Sequence, residues 1–193
     1  MDYYLKTPLD EQTVRALKIG DIVYLTGTIV AMRDKAHARI LELDREGKQP
    51  PISIYNSVIY HCGPVVKKLK EGWEILSCGP TTSYRMEMYE AEIITKYNIR
   101  MIIGKGGMGD RTVEALEKTG CVYTTFTGGA GVLAAQRIIG VEEVHWLDLG
   151  VPEALWVFKV NEFGPLIVTI DTKKGNIHSK IQIKAVEKLR ELM

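Results

Sequence analysis

From Met101 to Leu147 short apolar runs, glycine-rich turns and segments with helical spacing alternate along the chain. Met101–Ile103 leads into Gly104-Lys105-Gly106-Gly107-Met108-Gly109, followed by a helical stretch over Arg111–Thr119. Cys121–Thr125 reads as the next strand, and Gly128–Gly131 opens a helix expected to run through Ile139, before a strand at Val144–Leu147. Strand–loop–helix alternation of this kind predicts an α/β layer with parallel strands. In such layers ligands collect where strands end and helices begin.

The flanking segments are more β-rich. A short helix or turn is expected over 8–18, opened by Pro8. Asp21–Ala31 is rich in β-branched residues and reads as a strand, with Gly27 marking a bulge or a close backbone approach. Ala36, Ile40 and Leu43 share one face of a helix over Arg33–Leu43, and 44–51 is a polar loop. Val65–Leu69 reads as a brief helix, Trp73–Ser77 as a strand and Ser83–Tyr97 as a helix. Ala154–Val160 and Leu166–Ile170 read as two strands paired across Asn161–Pro165, and Ser179–Leu192 as a terminal helix. With no repeat or linker in view, residues 1–193 are expected to form one domain with a β-rich part and a parallel strand–helix part.

Charge and cysteine usage narrow the classes. The 25 basic and 24 acidic residues nearly cancel, so no overall basic excess points to nucleic acid. Met1–Lys6 lacks the apolar core of a secretory signal, and no apolar run approaches the roughly 20 residues of a membrane helix. A cytoplasmic protein is expected. Cys62, Cys78 and Cys121 form no CxxC pair, which argues against a structural zinc site and a disulfide framework. Three thiolates far apart in sequence could still converge on an iron–sulfur cluster, or be buried free thiols. His61 beside Cys62 offers a Cys–His nucleophile that nothing in the sequence orients.

Four segments carry groups suited to binding an anion. Gly79-Pro80-Thr81-Thr82-Ser83-Tyr84-Arg85 sits at a helix start, where free N–H groups and hydroxyls attract negative charge and Arg85 can grip a carboxylate with two donors. The same residues would equally serve as an ordinary N-cap with a solvated arginine. Gly104–Gly109 lacks both the GxxxxGK[ST] and the GxGxxG spacing; its glycines would let a ligand approach, with Lys105 as a point charge, or would simply form a flexible turn. Arg33-Asp34-Lys35-Ala36-His37 follows a strand end, with Asp34 placed to cap the helix; a surface charge cluster is the plainer account. Thr124–Gly131 suits close packing of Ala130, Ala134 and Ala135 more than ligand binding.

Taken in order, GTIVAMRDKAH (27–37), NSVIYHCGP (56–64), SCGPTTSYRMEMY (77–89), IIGKGGMG (102–109), TTFTGGAGVLAA (124–135) and VEEVHWLDLGVPEALW (141–156) resemble the beta region of class I, iron–sulfur-dependent fumarases and L-tartrate dehydratases. The resemblance covers nearly the whole chain. It implies a swivelling β/β/α domain and, because only the beta region is present, the beta subunit of a split enzyme. The [4Fe–4S] cluster would then be held by cysteines of a separate alpha subunit, so that Cys62, Cys78 and Cys121 would not be its ligands and this chain would bind no metal. By motif, Arg85 and Lys105 match residues that bind the dicarboxylate, Arg33 matches the arginine before D-x-x-H, and Thr81 matches a threonine with a part in proton transfer. Thr82, Gly104, Gly106 and His37 would support them.

The expected activity is reversible hydration of fumarate to L-malate, at an alpha/beta interface in an α2β2 assembly or one that includes a beta–beta dimer. An open iron would act as Lewis acid on the hydroxyl that leaves or adds, while arginine and lysine stabilise the aci-carboxylate formed on proton loss. The motifs suit tartrate dehydration to oxaloacetate equally well, and a non-catalytic anion-binding module needs only the three loops.

Overall fold

The computed structural model of the protein describes residues 1–192. In chain order its elements are β1 (Asp2–Lys6), α1 (Glu11–Ala16), β2 (Ile22–Ala31), α2 (Asp34–Arg45), β3 (Val58–Tyr60), β4 (Val65–Lys68) and β5 (Trp73–Ser77). A 3-10 turn at Ser83–Met86 runs into α3 (Glu87–Tyr97). Then come β6 (Met101–Gly104), α4 (Asp110–Thr119), β7 (Val122–Thr125), α5 (Gly131–Gln136), β8 (Ile138–His145), β9 (Leu155–Ile170) and α6 (Ile177–Glu191).

The expected parallel layer is present: β1, β2, β3, β6 and β7 pair side by side, each parallel to the next. Strand β9 runs antiparallel to both β7 and β2, so that β2, β3, β6, β7 and β9 form a closed circuit, with β1 and β8 attached outside it. Period-2 alternation distributes the side chains. Ile29, Ala31, Val58, Tyr60, Met101 and Ile103 belong to the core enclosed by the circuit. Their alternates Val30, Ile59 and Ile102 pack outward against apolar residues of the helices, such as Ile40, Ile94 and Leu116. Burial on both faces explains why these strands read as continuous apolar runs.

Three local expectations fail. Val65–Lys68 is strand β4, antiparallel to β5; a segment of five residues with two lysines at its centre is too short for its pattern to tell a hairpin strand from a helical turn. The helix after Gly131 stops at Gln136, and Ile138 already starts β8, drawn into the ladder with β9. The two strands proposed across Asn161–Pro165 are a single strand, β9; its first half pairs with β8 and the end of β2, its second with β7 and the start of β2. β1 is an element the sequence did not announce. Gly27 behaves as expected: the ladder shifts register beside it, and at φ +124° it leaves room for Thr7, whose hydroxyl oxygen accepts from Thr28 N at 2.6 Å.

Candidate functional site

The C-terminal ends of β2, β3, β6 and β7 lie next to one another, and each feeds a loop carrying a candidate residue or a neighbour of one. Arg33 follows β2, His61 follows β3, Lys105 follows β6 and Gly128 follows β7. The loop after β5 is stitched across these ends. Thr81 N donates to His61 O at 2.7 Å, Ser83 N donates to Lys105 O at 2.9 Å, and Cys62–Pro80 and Thr82–Lys105 form isolated β-bridges. Thr81, Thr82, Arg85 and Lys105 are thereby gathered on one rim.

Close approach needs glycine here. A Cβ on Gly104 would collide with the hydroxyl of Ser83, and one on Gly131 would meet Ser77 Oγ and the backbone of Gly79 at 3.0 Å. A Cβ on Gly128 would touch Lys105 Cδ at 3.5 Å. The Thr124–Gly131 turn is therefore chiefly a packing device, as expected, that also walls the lysine. Gly106 takes φ +83°, with a Cβ position 3.6 Å from Thr82 Cγ2.

The charges of the rim are partly answered from within. Arg33 Nη2 lies 3.2 Å from Glu153 Oε1, and its Nε is buried without a hydrogen bond. Arg85 Nε donates to Asp34 Oδ1 at 3.0 Å, while Asp34 Oδ2 lies 3.9 Å from Arg33 Nε. One carboxylate thus stands between two arginines. Asp34 is not the expected helix cap, since Arg33 occupies the N-cap position of α2 with no side-chain cap bond. Neither does a hydroxyl cap the turn at Ser83: Thr82 holds the cap position without a side-chain bond, and Arg85 is half exposed and ion-paired. Lys105 forms no ion pair among the described residues. The glycine loop after Lys105 is closed by Glu87, which accepts from Gly109 N at 2.7 Å and from Thr112 N at 3.3 Å. A carboxylate of the chain itself therefore occupies the N-terminus of α4.

Beneath the rim lies a fully buried polar chain. His37 Nδ1 meets Arg33 O at 2.8 Å, and its Nε2 is 3.2 Å from Glu90 Oε2. His61 Nε2 is 2.9 Å from the same oxygen, and its Nδ1 is 2.9 Å from Ser83 Oγ, to which Tyr123 OH donates at 2.9 Å. His37, His61, Ser83 and Glu90 are all 0% exposed. Burial favours a neutral Glu90 carboxyl, but attraction to His61 and His37 wins and carries it down to about 2. For His37 burial also opposes charge, and Glu90 overcomes it, so its imidazole is raised; for His61 burial prevails and lowers it. Burial pushes Tyr123 up to about 12. His37 was foreseen only as a supporting residue of an exposed cluster. Ser83 belongs to the segment read as an anion pocket or helix cap, but its tie to His61 is not legible there, and Glu90 and Tyr123 carry no signal at all, because residues 83, 90 and 123 reach His61 only through the fold.

The cysteines do not converge. Cys62 and Cys78 are in contact, Sγ to Sγ 3.2 Å, whereas Cys121 Sγ turns to Val122 O. Among the described residues, the one group of three metal-ligating atoms within 4.8 Å of one another is His37, His61 and Glu90. This chain's thiols therefore do not fit an iron–sulfur cluster. A Cys62–His61 nucleophile is excluded too: both ring nitrogens of His61 are engaged elsewhere and Cys62 is fully buried. A cleft of about 420 Å³ lined by Thr7, Thr28, Tyr55, Asn56 and Glu142 contains none of Arg33, Thr81, Arg85 or Lys105. No helix among the described residues is long and apolar enough to cross a membrane.

Comparison with known proteins agrees with the resemblance seen in the motifs. The chain is 45% identical over 178 residues to the L(+)-tartrate dehydratase subunit beta of Escherichia coli (strain K12), covering 92% of this chain and 87% of that protein. It is 43% identical over 191 residues to a putative L(+)-tartrate dehydratase subunit beta of Methanocaldococcus jannaschii, covering 98% of each. It is 40% identical over 188 residues to a putative fumarate hydratase class I of Geobacillus stearothermophilus, covering 97% of this chain and 35% of that protein. The family described as Fumarase C-terminus matches residues 2–181, and the chain belongs to that family.

Proposed function

We propose that the chain is the beta subunit of a hydro-lyase, that it binds a four-carbon dicarboxylate on the rim formed by Arg33, Thr81, Arg85 and Lys105, and that it acts with a separate alpha subunit. The observation that carries this reading is the place of Asp34. A carboxylate lies between Arg33 and Arg85, with Lys105 on the same rim and in no ion pair among the described residues, an arrangement suited to taking an external carboxylate in its stead. The names of the relatives support the reaction class, and the near-full match to subunits called beta supports a partner. The reaction we assign first is reversible hydration of fumarate to L-malate. Dehydration of L-tartrate to oxaloacetate is the second reading, favoured by the names of the relatives at 45% and 43% identity.

In this scheme Arg85 and Lys105 donate to the substrate carboxylates. Their positive charge stabilises the aci-carboxylate that forms as a proton leaves the adjacent carbon. Thr81, held by its N–H to His61 O, handles that proton with an acid–base partner from the alpha subunit. In this proposal the alpha subunit holds the [4Fe–4S] cluster and supplies its Lewis acidity, as the family resemblance implies; the thiols here, which do not converge, support that reading. The open rim, the swivelling placement of the domain, an α2β2 assembly and a cytoplasmic location are parts of the same proposal. The test is anaerobic co-expression with the alpha subunit. Arg85→Ala and Lys105→Ala should each lower kcat/KM by about 10²–10³-fold, the range for losing a donor to developing charge. Near-wild-type turnover would remove these residues from the site. Iron-independent hydratase activity of this chain alone would end the split-subunit reading.

A further inference from the structure

The buried histidines have no part in the chemistry just described, yet they join its two halves. The Arg33 carbonyl, His37, Glu90, His61, Ser83 and Tyr123 form one continuous polar chain under the rim. The His61 carbonyl in turn holds Thr81 N, and the Lys105 carbonyl holds Ser83 N. We infer that Glu90, bridging a protonated His37 and a neutral His61, is the positioning unit that sets the Arg33 loop against the Thr81–Arg85 loop for substrate. This rests on the dicarboxylate reading of the rim.

Donor–acceptor accounting supports the protonation pattern. The Arg33 carbonyl can only accept, so His37 Nδ1 carries a hydrogen. If His37 were neutral, its Nε2 lone pair would face a carboxylate oxygen at 3.2 Å, a repulsive contact. A second proton removes the conflict. That contact is looser than an aligned hydrogen bond, for His37 Nε2 has no hydrogen-bond partner among the described residues, so it is chiefly an attraction between charges. His61 needs no charge: Tyr123 donates to Ser83, Ser83 donates to Nδ1, and Nε2–H donates to Glu90. The other ionisable groups acting on the unit are Asp34, which favours charge on both histidines, and the neutral thiol of Cys121. A buried ion pair is a poor source of stability, since apolar replacements commonly do as well; its known use is to fix one arrangement. Its location under the two substrate loops gives that use a purpose. A divalent cation is the rival occupant of the three ligand atoms, but Glu90 Oε2 already lies at contact distance from both nitrogens.

The test uses the full chain and the assembled enzyme. In the free chain, ring ¹⁵N spectra at pH 7 should show both nitrogens of His37 protonated and only one of His61. Glu90→Gln, which can still accept from one ring and donate to the other, should leave His37 neutral. In the same variant, amide exchange at Thr81 and Ser83 should speed up at least tenfold while Ile102 and Ile103 of β6 stay protected. With the alpha subunit, KM should rise about tenfold or more and kcat should fall less. His37→Gln, which keeps a donor toward Glu90 but no charge, should behave alike and serves if Glu90→Gln does not fold. A neutral His37 in the wild type overturns the inference, as do unchanged exchange at Thr81 and Ser83, unchanged KM, or one equivalent of metal whose chelation shifts the ring signals. The spectra and exchange need no turnover, so they decide the matter even if the hydro-lyase reading fails, which loss of the Arg85→Ala effect would reveal separately.

Discussion

Asp34 Oδ1 accepts from Arg85 Nε at 3.0 Å, so the arginine assigned to the substrate is held by a carboxylate of its own chain. On the proposed dicarboxylate reading, an incoming substrate replaces that partner. Arg85 is half exposed and Asp34 partly so, which makes this close to a surface bridge, worth up to about 1 kcal/mol. Asp34→Asn should therefore tighten dicarboxylate binding about two- to fivefold, measured as KM in the assembled enzyme or by calorimetry. Weaker binding would mean that Asp34 aims Arg85 instead of competing for it.

Gly104 is required for space, not for a special backbone angle. A Cβ there would collide with Ser83 Oγ and lie 3.0 Å from Tyr123 OH. Gly104→Ala should cost about 1–3 kcal/mol of stability, as overpacking does. Ser83→Gly added to it should recover part of that loss. A double-mutant cycle in urea checks the coupling, and simple additivity would deny the contact.

Cys62 and Cys78, with sulfurs 3.2 Å apart, are positioned to become a disulfide. Exchange with oxidised glutathione would join the two sulfurs, releasing two reduced glutathiones that carry away both thiol protons. Because both residues are fully buried and burial raises the Cys78 thiol, the reaction should take hours and speed up in mild denaturant. Intact mass should fall by about 2 Da, with both sites then resisting alkylation after unfolding and Tm rising. A single glutathione adduct would show that the sulfurs do not meet.

Glu90 makes acid stability a direct measure of its buried ion pair. Its carboxyl drops from 4.5 to about 2 on folding, so its contribution is present above pH 4.5 and is lost as pH falls toward 2. Urea unfolding at pH 5 and pH 3 should show wild type losing on the order of 2 kcal/mol more than Glu90→Gln over that interval. Equal losses would place the acid sensitivity elsewhere. His37 has the opposite sign: raised on folding, it contributes below about 6.5 and its share is lost as pH rises through its folded value.

The parallel layer was legible because its strands are buried on both faces and separated by glycine turns, which leave a strong local signal in Met101–Ile103 and Cys121–Thr125. β9 was not, since Asn161–Pro165 looks like a hairpin and only the pairing with Ile22–Ala31 keeps it one strand. Arg33, Thr81, Arg85 and Lys105 are candidates that the ordered motifs name, and the fold brings their loops together. Glu90 was out of reach. It sits in the first turn of α3, where an acidic residue is ordinary, and its role depends on two histidines 29 and 53 positions earlier that approach it only through the fold.

The closing of the circuit by β9 has a consequence for synthesis. Ile22 finds its partner Ile167 only after most of the chain has left the ribosome. Until then the long edge of β2 is an open template for other nascent chains. Assembly of this protein is therefore a late, slow event governed by contacts distant in sequence. A truncation before Leu155 should not yield a smaller folded unit but an aggregation-prone sheet with its seam unsewn.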